Sequence, residues 1–116
     1  MLQHVSIEVH PDDVEANVEG WRLLGFEPVE APGPISKYVT WLERESTQIH
    51  IIHSEQPVIP QLGHSAVVVE DYDATFEALE KAGLAPEHHD KLWGEARGFV
   101  VISGGHRVEL MAAPPP

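Results

Sequence analysis

The chain has 116 residues, no cysteine and a formal net charge of −12 at pH 7, from 7 basic and 19 acidic residues. This length suits one compact domain, the acidic charge argues against nucleic-acid binding, and the lack of cysteine excludes disulfides, thiolate metal sites and cysteine nucleophiles. No apolar run reaches membrane-spanning length and no signal peptide is recognisable, so we expect a cytoplasmic protein without membrane contact.

The first half of the chain is predicted to contain four strands and one helix. The helix has an aspartate, Asp12 or Asp13, available as its N-cap and ends at Gly25, with apolar residues at helical spacing between them. Alternating or β-branched segments predict strands over residues 2–9, 26–30, 37–42 and 47–53.

The second half repeats this order of elements. Its helix is capped by Asp71 or Asp73 and ends at Gly83, and Gly104-Gly105 favours a hairpin turn between the last two strands. The strands of this half are predicted over residues 63–69, 84–89, 98–103 and 106–112.

The two halves form an internal repeat, since His64 follows His4 by 60 residues and Glu109 follows His50 by 59. A period of this length indicates a duplicated supersecondary unit. We therefore predict an α+β fold of two tandem βαβββ modules that form a cupped mixed sheet. The prediction is a single domain over residues 1–113, with module one at 1–54, a linker at 55–62, module two at 63–113 and a frayed tail at 114–116.

Strand parity groups four polar residues on one face of the predicted sheet: His4, His50, His64 and Glu109. Their aliphatic neighbours take the opposite face, which is expected to pack under the helices. Three imidazoles and one carboxylate without sulfur suit Zn, Ni, Co, Mn or Fe(II), and the sequence does not choose among these ions. We predict a site for one divalent metal, in preference to a chance arrangement of half-exposed histidines.

Aromatic and basic residues near this face are candidates for substrate binding: Tyr38, Trp41, Trp93 and Arg97. The competing interpretation is that the aromatic residues pack in the hydrophobic core and that Arg97 is exposed to solvent. His53 has the opposite parity to His50 and is expected to be solvated. His88 and His89 lie near the predicted pocket loop, where one of them could contact substrate.

Three short motifs resemble those of the vicinal oxygen chelate superfamily: Leu-Leu-Gly-Phe at 23–26, Gly-His at 63–64 and Gly-His-Arg-Val-Glu-Leu at 105–110. This group includes glyoxalase I, methylmalonyl-CoA epimerase, extradiol dioxygenases, fosfomycin-resistance transferases and bleomycin-binding proteins. The resemblance covers roughly residues 2–112. It implies the paired-module fold, metal ligands on the first and fourth strands of each module, and a homodimer. The four ligands then come either from one chain or from two, with His4 and His50 on one subunit and His64 and Glu109 on the other.

The resemblance implies a metal-dependent enzyme that acts on a small vicinal-oxygen substrate. Lyase or isomerase chemistry through an enediolate-like intermediate is the first expectation, with Glu109 as a ligand or as the general base. One alternative is a non-catalytic, drug-binding protein of the bleomycin-resistance type. Another is an Fe(II) extradiol-type dioxygenase that uses His4, His64 and Glu109. His50 stands where glyoxalase I commonly has Glu, and the Arg-Ser start of the first helix found in glutathione-using members is absent.

Overall fold

A computed structural model describes residues 1–116, which divide into two compact units, Met1–Ile59 and Pro60–Pro116. The first unit contains β1 (His4–Val9), α1 (Val14–Leu23), β2 (Glu27–Val29), β3 (Val39–Arg44) and β4 (Thr47–His53). A short 3-10 helix, Pro11–Asp13, leads into α1. The second unit contains β5 (Ser65–Val68), α2 (Tyr72–Lys81), β6 (Glu87–His89), β7 (Arg97–Ile102) and β8 (His106–Met111).

Each unit contains one four-stranded mixed sheet, in the order β1-β4-β3-β2 in the first and β5-β8-β7-β6 in the second. The first and fourth strands of each unit are parallel, and the remaining pairs are antiparallel. These findings confirm the α+β fold of two tandem βαβββ modules. No helix is long and apolar enough to cross a membrane.

In the first unit, one sheet face supplies the hydrophobic core beside α1. Leu42, Ile49 and Ile51 share this face and are at most 3% exposed. Arg44 lies on the same face, and its side chain approaches Gly25 at the end of α1. We call the opposite face of each sheet its helix-free face. Parity therefore places His4 and His50 on the helix-free face, as the sequence predicted.

In the second unit, α2 covers the face that carries Val108, Leu110 and Gly98. A Cβ added at Gly98 would collide with the hydroxyl of Tyr72 on α2 and with the carbonyl of Glu87. The glycine is therefore needed for close approach of the helix to β7. Glu109 has the opposite parity and lies on the helix-free face.

Several predicted strand boundaries were wrong by a few residues. The chain from Pro32 to Tyr38 forms turns, with the Tyr38 amide donating to the Ile35 carbonyl at 2.9 Å, so β3 begins at Val39 and not at residue 37. The strands predicted over 63–69 and 84–89 shorten to β5 and β6. The predicted glycine turn is confirmed, since Gly104 and Gly105 both have positive φ, at 92° and 86°.

Candidate functional site

His4, His50 and Trp41 form a stack on the helix-free face of the first sheet. The His4 and His50 ring centroids lie 4.0 Å apart with 16° between the planes. The Trp41 ring lies 4.0 Å from the other side of His50, almost parallel to it. Trp41 pairs with His50 across β3 and β4, so strand register positions the tryptophan. We call His4 and His50 the first half-site.

A chain of hydrogen bonds orients His50. The Gln48 Nε2 donates to Glu43 Oε1 at 3.0 Å, which leaves Gln48 Oε1 as the acceptor toward His50 Nε2, 2.7 Å away. His50 therefore carries its proton on Nε2 and presents the lone pair of Nδ1. A ring nitrogen anchored in this way is typical of metal-binding histidines. Gln48 and Glu43 were not predicted, although both share the parity of the first half-site.

Burial lowers the pKa of His50 below its usual 6.5, and the neighbouring His4 lowers it further. Both causes favour the neutral imidazole, because the charged form loses hydration and meets a second cationic ring. A neutral imidazole is the form that binds metal ions. The lowered pKa thus favours a neutral His50 ring near neutral pH.

His64 and Glu109 form the second half-site, on the helix-free face of the second sheet. His64 Nδ1 donates to the Leu62 carbonyl at 3.0 Å, and its Nε2 lies 3.2 Å from Glu109 Oε1. Arg97 Nε donates to the other oxygen, Glu109 Oε2, at 2.9 Å. A second donor of Arg97 reaches the Asp90 carbonyl at 3.0 Å. Both oxygens of the nearly buried Glu109 are therefore engaged.

The donor atoms of the second half-site fit a divalent metal. The Leu62 carbonyl requires the proton of His64 on Nδ1, so in a neutral ring the Nε2 lone pair faces Glu109 Oε1. Two lone-pair donors face each other favourably only with a proton or a metal ion between them. Ligand atoms that share an ion at about 2.1 Å lie roughly 3.0–3.4 Å apart, which matches the 3.2 Å separation. A protonated His64 would instead form a simple ion pair with Glu109.

Each unit by itself supplies two candidate ligands, and within neither unit do three or more His, Asp or Glu side chains come together as a metal site. The single metal site formed by all four residues stays a prediction. The structure nevertheless brings the members of each pair together, His4 with His50 and His64 with Glu109.

The predicted substrate-binding residues differ in their surroundings. Trp41 contacts His50, and Arg97 contacts Glu109 with only 12% of its side chain exposed, so Arg97 is not a solvated surface arginine. Trp93 donates from Nε1 to the Ala113 carbonyl at 3.0 Å, with the Arg97 guanidinium 5.7 Å from its ring. Tyr38 lies in the turn before β3 and is 63% exposed. Their roles toward a substrate stay predictions.

The remaining histidines divide between the two faces. His88 lies on the helix side, stacked on Phe76 at 3.9 Å and hydrogen-bonded to the Tyr72 hydroxyl at 3.0 Å. His89 lies on the helix-free face, with its ring 4.6 Å from Phe99. His53, which was expected to be solvated, is half-buried and hydrogen-bonded to Thr40 at 2.8 Å.

No protein-family model and no curated protein matches the sequence. Solved structures match nearly the whole chain. A protein assigned to the glyoxalase family from Bacillus anthracis has a TM-score of 0.84 and 22% identity, covering 96% of this chain and 93% of that one. A glyoxalase family protein from Enterococcus faecalis has a TM-score of 0.74 and 25% identity, covering 96% of both chains. The fosfomycin resistance protein FosX from Listeria monocytogenes has a TM-score of 0.73 and 15% identity, covering 98% and 93%.

The matching structures also include a lactoylglutathione lyase and an oxidase. The chain therefore has the glyoxalase-like fold of the vicinal oxygen chelate superfamily, as the sequence motifs predicted. Proteins of this fold include lyases, oxidases and fosfomycin-resistance proteins, so the fold by itself does not select a reaction.

Proposed function

We propose that this protein is a metal-dependent enzyme of glyoxalase type, with lyase or isomerase activity on a small vicinal-oxygen substrate. The observation that carries the proposal is the second half-site, where the anchored His64 presents Nε2 to Glu109 Oε1 at 3.2 Å. His4 and His50 occupy the repeat-related positions of the first module. The four residues together would hold one Zn, Ni, Co, Mn or Fe(II) ion.

Such an ion would supply Lewis acidity toward two neighbouring substrate oxygens, which makes an adjacent C–H bond more acidic. The chain's own residues then handle the proton. Glu109 is the only carboxylate of the set, so we assign it as general base; it would accept the proton at Oε1 once that oxygen is released from the ion. Arg97 donates to Oε2 and fixes the plane of the carboxylate. The Leu62 carbonyl holds the ring of His64 beside it.

The Arg97–Glu109 pair favours a second candidate, a non-catalytic small-molecule binder. Arg97 satisfies Glu109 without any metal, and the pair is almost excluded from solvent. A binding protein needs a pocket and no metal. An Fe(II) extradiol-type dioxygenase, using His4, His64 and Glu109, is the third candidate, and its oxygen consumption distinguishes it from both.

The test is turnover by protein loaded with each of the five metals, against hemithioacetals, 2-oxoacids and catechols, with oxygen uptake recorded. We expect turnover of at least one class, loss of it after chelator treatment, and loss on Glu109→Gln even at saturating metal. His53→Gln is the matched control, because His53 lies on β4 but faces away from His50. Activity that survives chelation would refute metal dependence. No turnover of any class would favour the binding protein.

A further inference from the structure

Arg107 is a cation without an acidic partner on the same face as the second half-site. Its guanidinium carbon lies 3.8 Å from the Phe99 ring centroid, and the side chain makes no ion pair. Arg97, the other arginine of this face, is already held by Glu109 and by the Asp90 carbonyl. In a chain with 19 acidic and 7 basic residues, an unpaired and partly buried arginine is notable.

Arg107 borders a groove of about 230 Å³ on the second unit. The Phe99 ring forms part of its wall, and Val101, His89 and Glu87 complete the helix-free side. This volume is below that of most drug-sized pockets and suits a ligand with about ten non-hydrogen atoms. An apolar wall at Phe99 and Val101 beside one guanidinium suits a small organic anion, since guanidinium binds a carboxylate through two parallel hydrogen bonds.

We propose that this groove binds the carboxylate of a small organic monoanion on Arg107, with the body of the molecule packed beside Phe99. A single unpaired guanidinium balances one negative charge. The carboxylate of Glu87 lines the same groove, and the net charge of the chain is −12, so a dianion such as a phosphate ester would meet repulsion.

The groove adjoins the second half-site through strand register. Phe99 pairs with Glu109 across β7 and β8, and its ring lies nearly perpendicular to the His64 ring, with 5.1 Å between centroids. Arg107 and Glu109 are two residues apart on one strand and share a face, so their backbones lie about 7 Å apart. This assignment of a substrate class rests on the proposed function. The substrate is then a carboxylic acid, and its two vicinal, metal-binding oxygens lie several bonds from the carboxylate.

Binding of benzoate, its neutral analogue benzamide and phenyl phosphate to chelator-treated protein tests the proposal without any metal. We expect benzoate to bind in the millimolar range, with benzamide and phenyl phosphate each at least about tenfold weaker. Arg107→Gln should weaken benzoate binding about tenfold or more, while Arg107→Lys should retain part of it. The matched control is Arg22→Gln, on α1 and paired with Glu19 and Glu27, which should leave binding unchanged.

Equal binding of benzoate and benzamide, or wild-type affinity for benzoate in Arg107→Gln, would overturn the proposal. Tighter binding of phenyl phosphate than of benzoate would overturn the assignment to monoanions. Ligand-observed NMR provides the affinities, and melting curves establish that each variant is folded. Arg107→Lys keeps the charge but lacks the two parallel donors, so if Arg107→Gln fails to fold, wild-type affinity for benzoate in Arg107→Lys would overturn the proposal. Because the protein is free of metal in this experiment, a negative result would contradict anion binding in the groove without contradicting the proposed enzymatic activity.

Discussion

Replacing Arg97 by methionine should destabilise the protein and make its stability depend on metal. The Arg97 and Glu109 side chains are 12% and 10% exposed, and their contact is 2.9 Å. Removing one member of a buried ion pair costs about 3–5 kcal/mol, because the other charge is left without its partner. His64 still faces Glu109 Oε1 at 3.2 Å, so we expect a cost just below this range, about 2–3 kcal/mol.

A domain of this length loses roughly 4 °C in Tm per kcal/mol, so Arg97→Met should melt about 8–12 °C lower than the wild type. Thermal unfolding followed by circular dichroism measures this shift. Arg97→Met/Glu109→Gln should recover part of it, since the uncompensated charge is then gone. A divalent metal should stabilise Arg97→Met more than the wild type, by restoring a positive charge beside Glu109. A Tm within about 2 °C of the wild type would show that the pair contributes no more than a surface ion pair.

Three further predictions concern His50, the core and the assembly. The pKa of His50, measured by NMR titration, should lie below 6.5, and His4→Ala should raise that pKa only partly, since burial is the larger cause. Because the unfolded chain binds this proton more readily, the free energy of unfolding should fall as the pH drops below about 6.5. Gly98→Ala should cost more than about 2 kcal/mol in urea unfolding because its Cβ would meet the Glu87 carbonyl, whereas Gly33→Ala, with nothing nearby, should be neutral. Sedimentation equilibrium should give twice the chain mass of 12.8 kDa, and a monomer at micromolar concentration would contradict the predicted homodimer.

Strand parity accounts for how much of the candidate site could be predicted. Alternation is a local property, so the sequence alone places His50 opposite Ile49 and Ile51, and the structure agrees. Repeat spacing likewise relates His4 to His64. The start of β3 was predicted two residues early, because the apolar Ile35 and Tyr38 near that strand belong to a hydrogen-bonded turn that alternation does not reveal.

Contacts that depend on register between strands could not be predicted in this way. The sequence predicts a substrate-binding or solvent-exposed role for Arg97, yet β7–β8 pairing brings it to Glu109, 12 residues further along the chain. The hydrogen bond from Gln48 to Glu43 depends on β3–β4 pairing in the same manner. The sequence predicts that His106 starts the last strand, which β8 confirms, but the burial of His106 to 6% exposure was not predicted.

Metal titration of chelator-treated protein by calorimetry tests the central claim most directly. One divalent ion per chain should bind, and His4→Ala and His64→Ala should each weaken the affinity at least about tenfold, because each removes one of four ligands. His53→Gln, with its side chain on the opposite face of β4, should bind like the wild type. No saturable binding by the wild type, or unchanged affinity in both alanine variants, would contradict the assignment of these residues to one metal site.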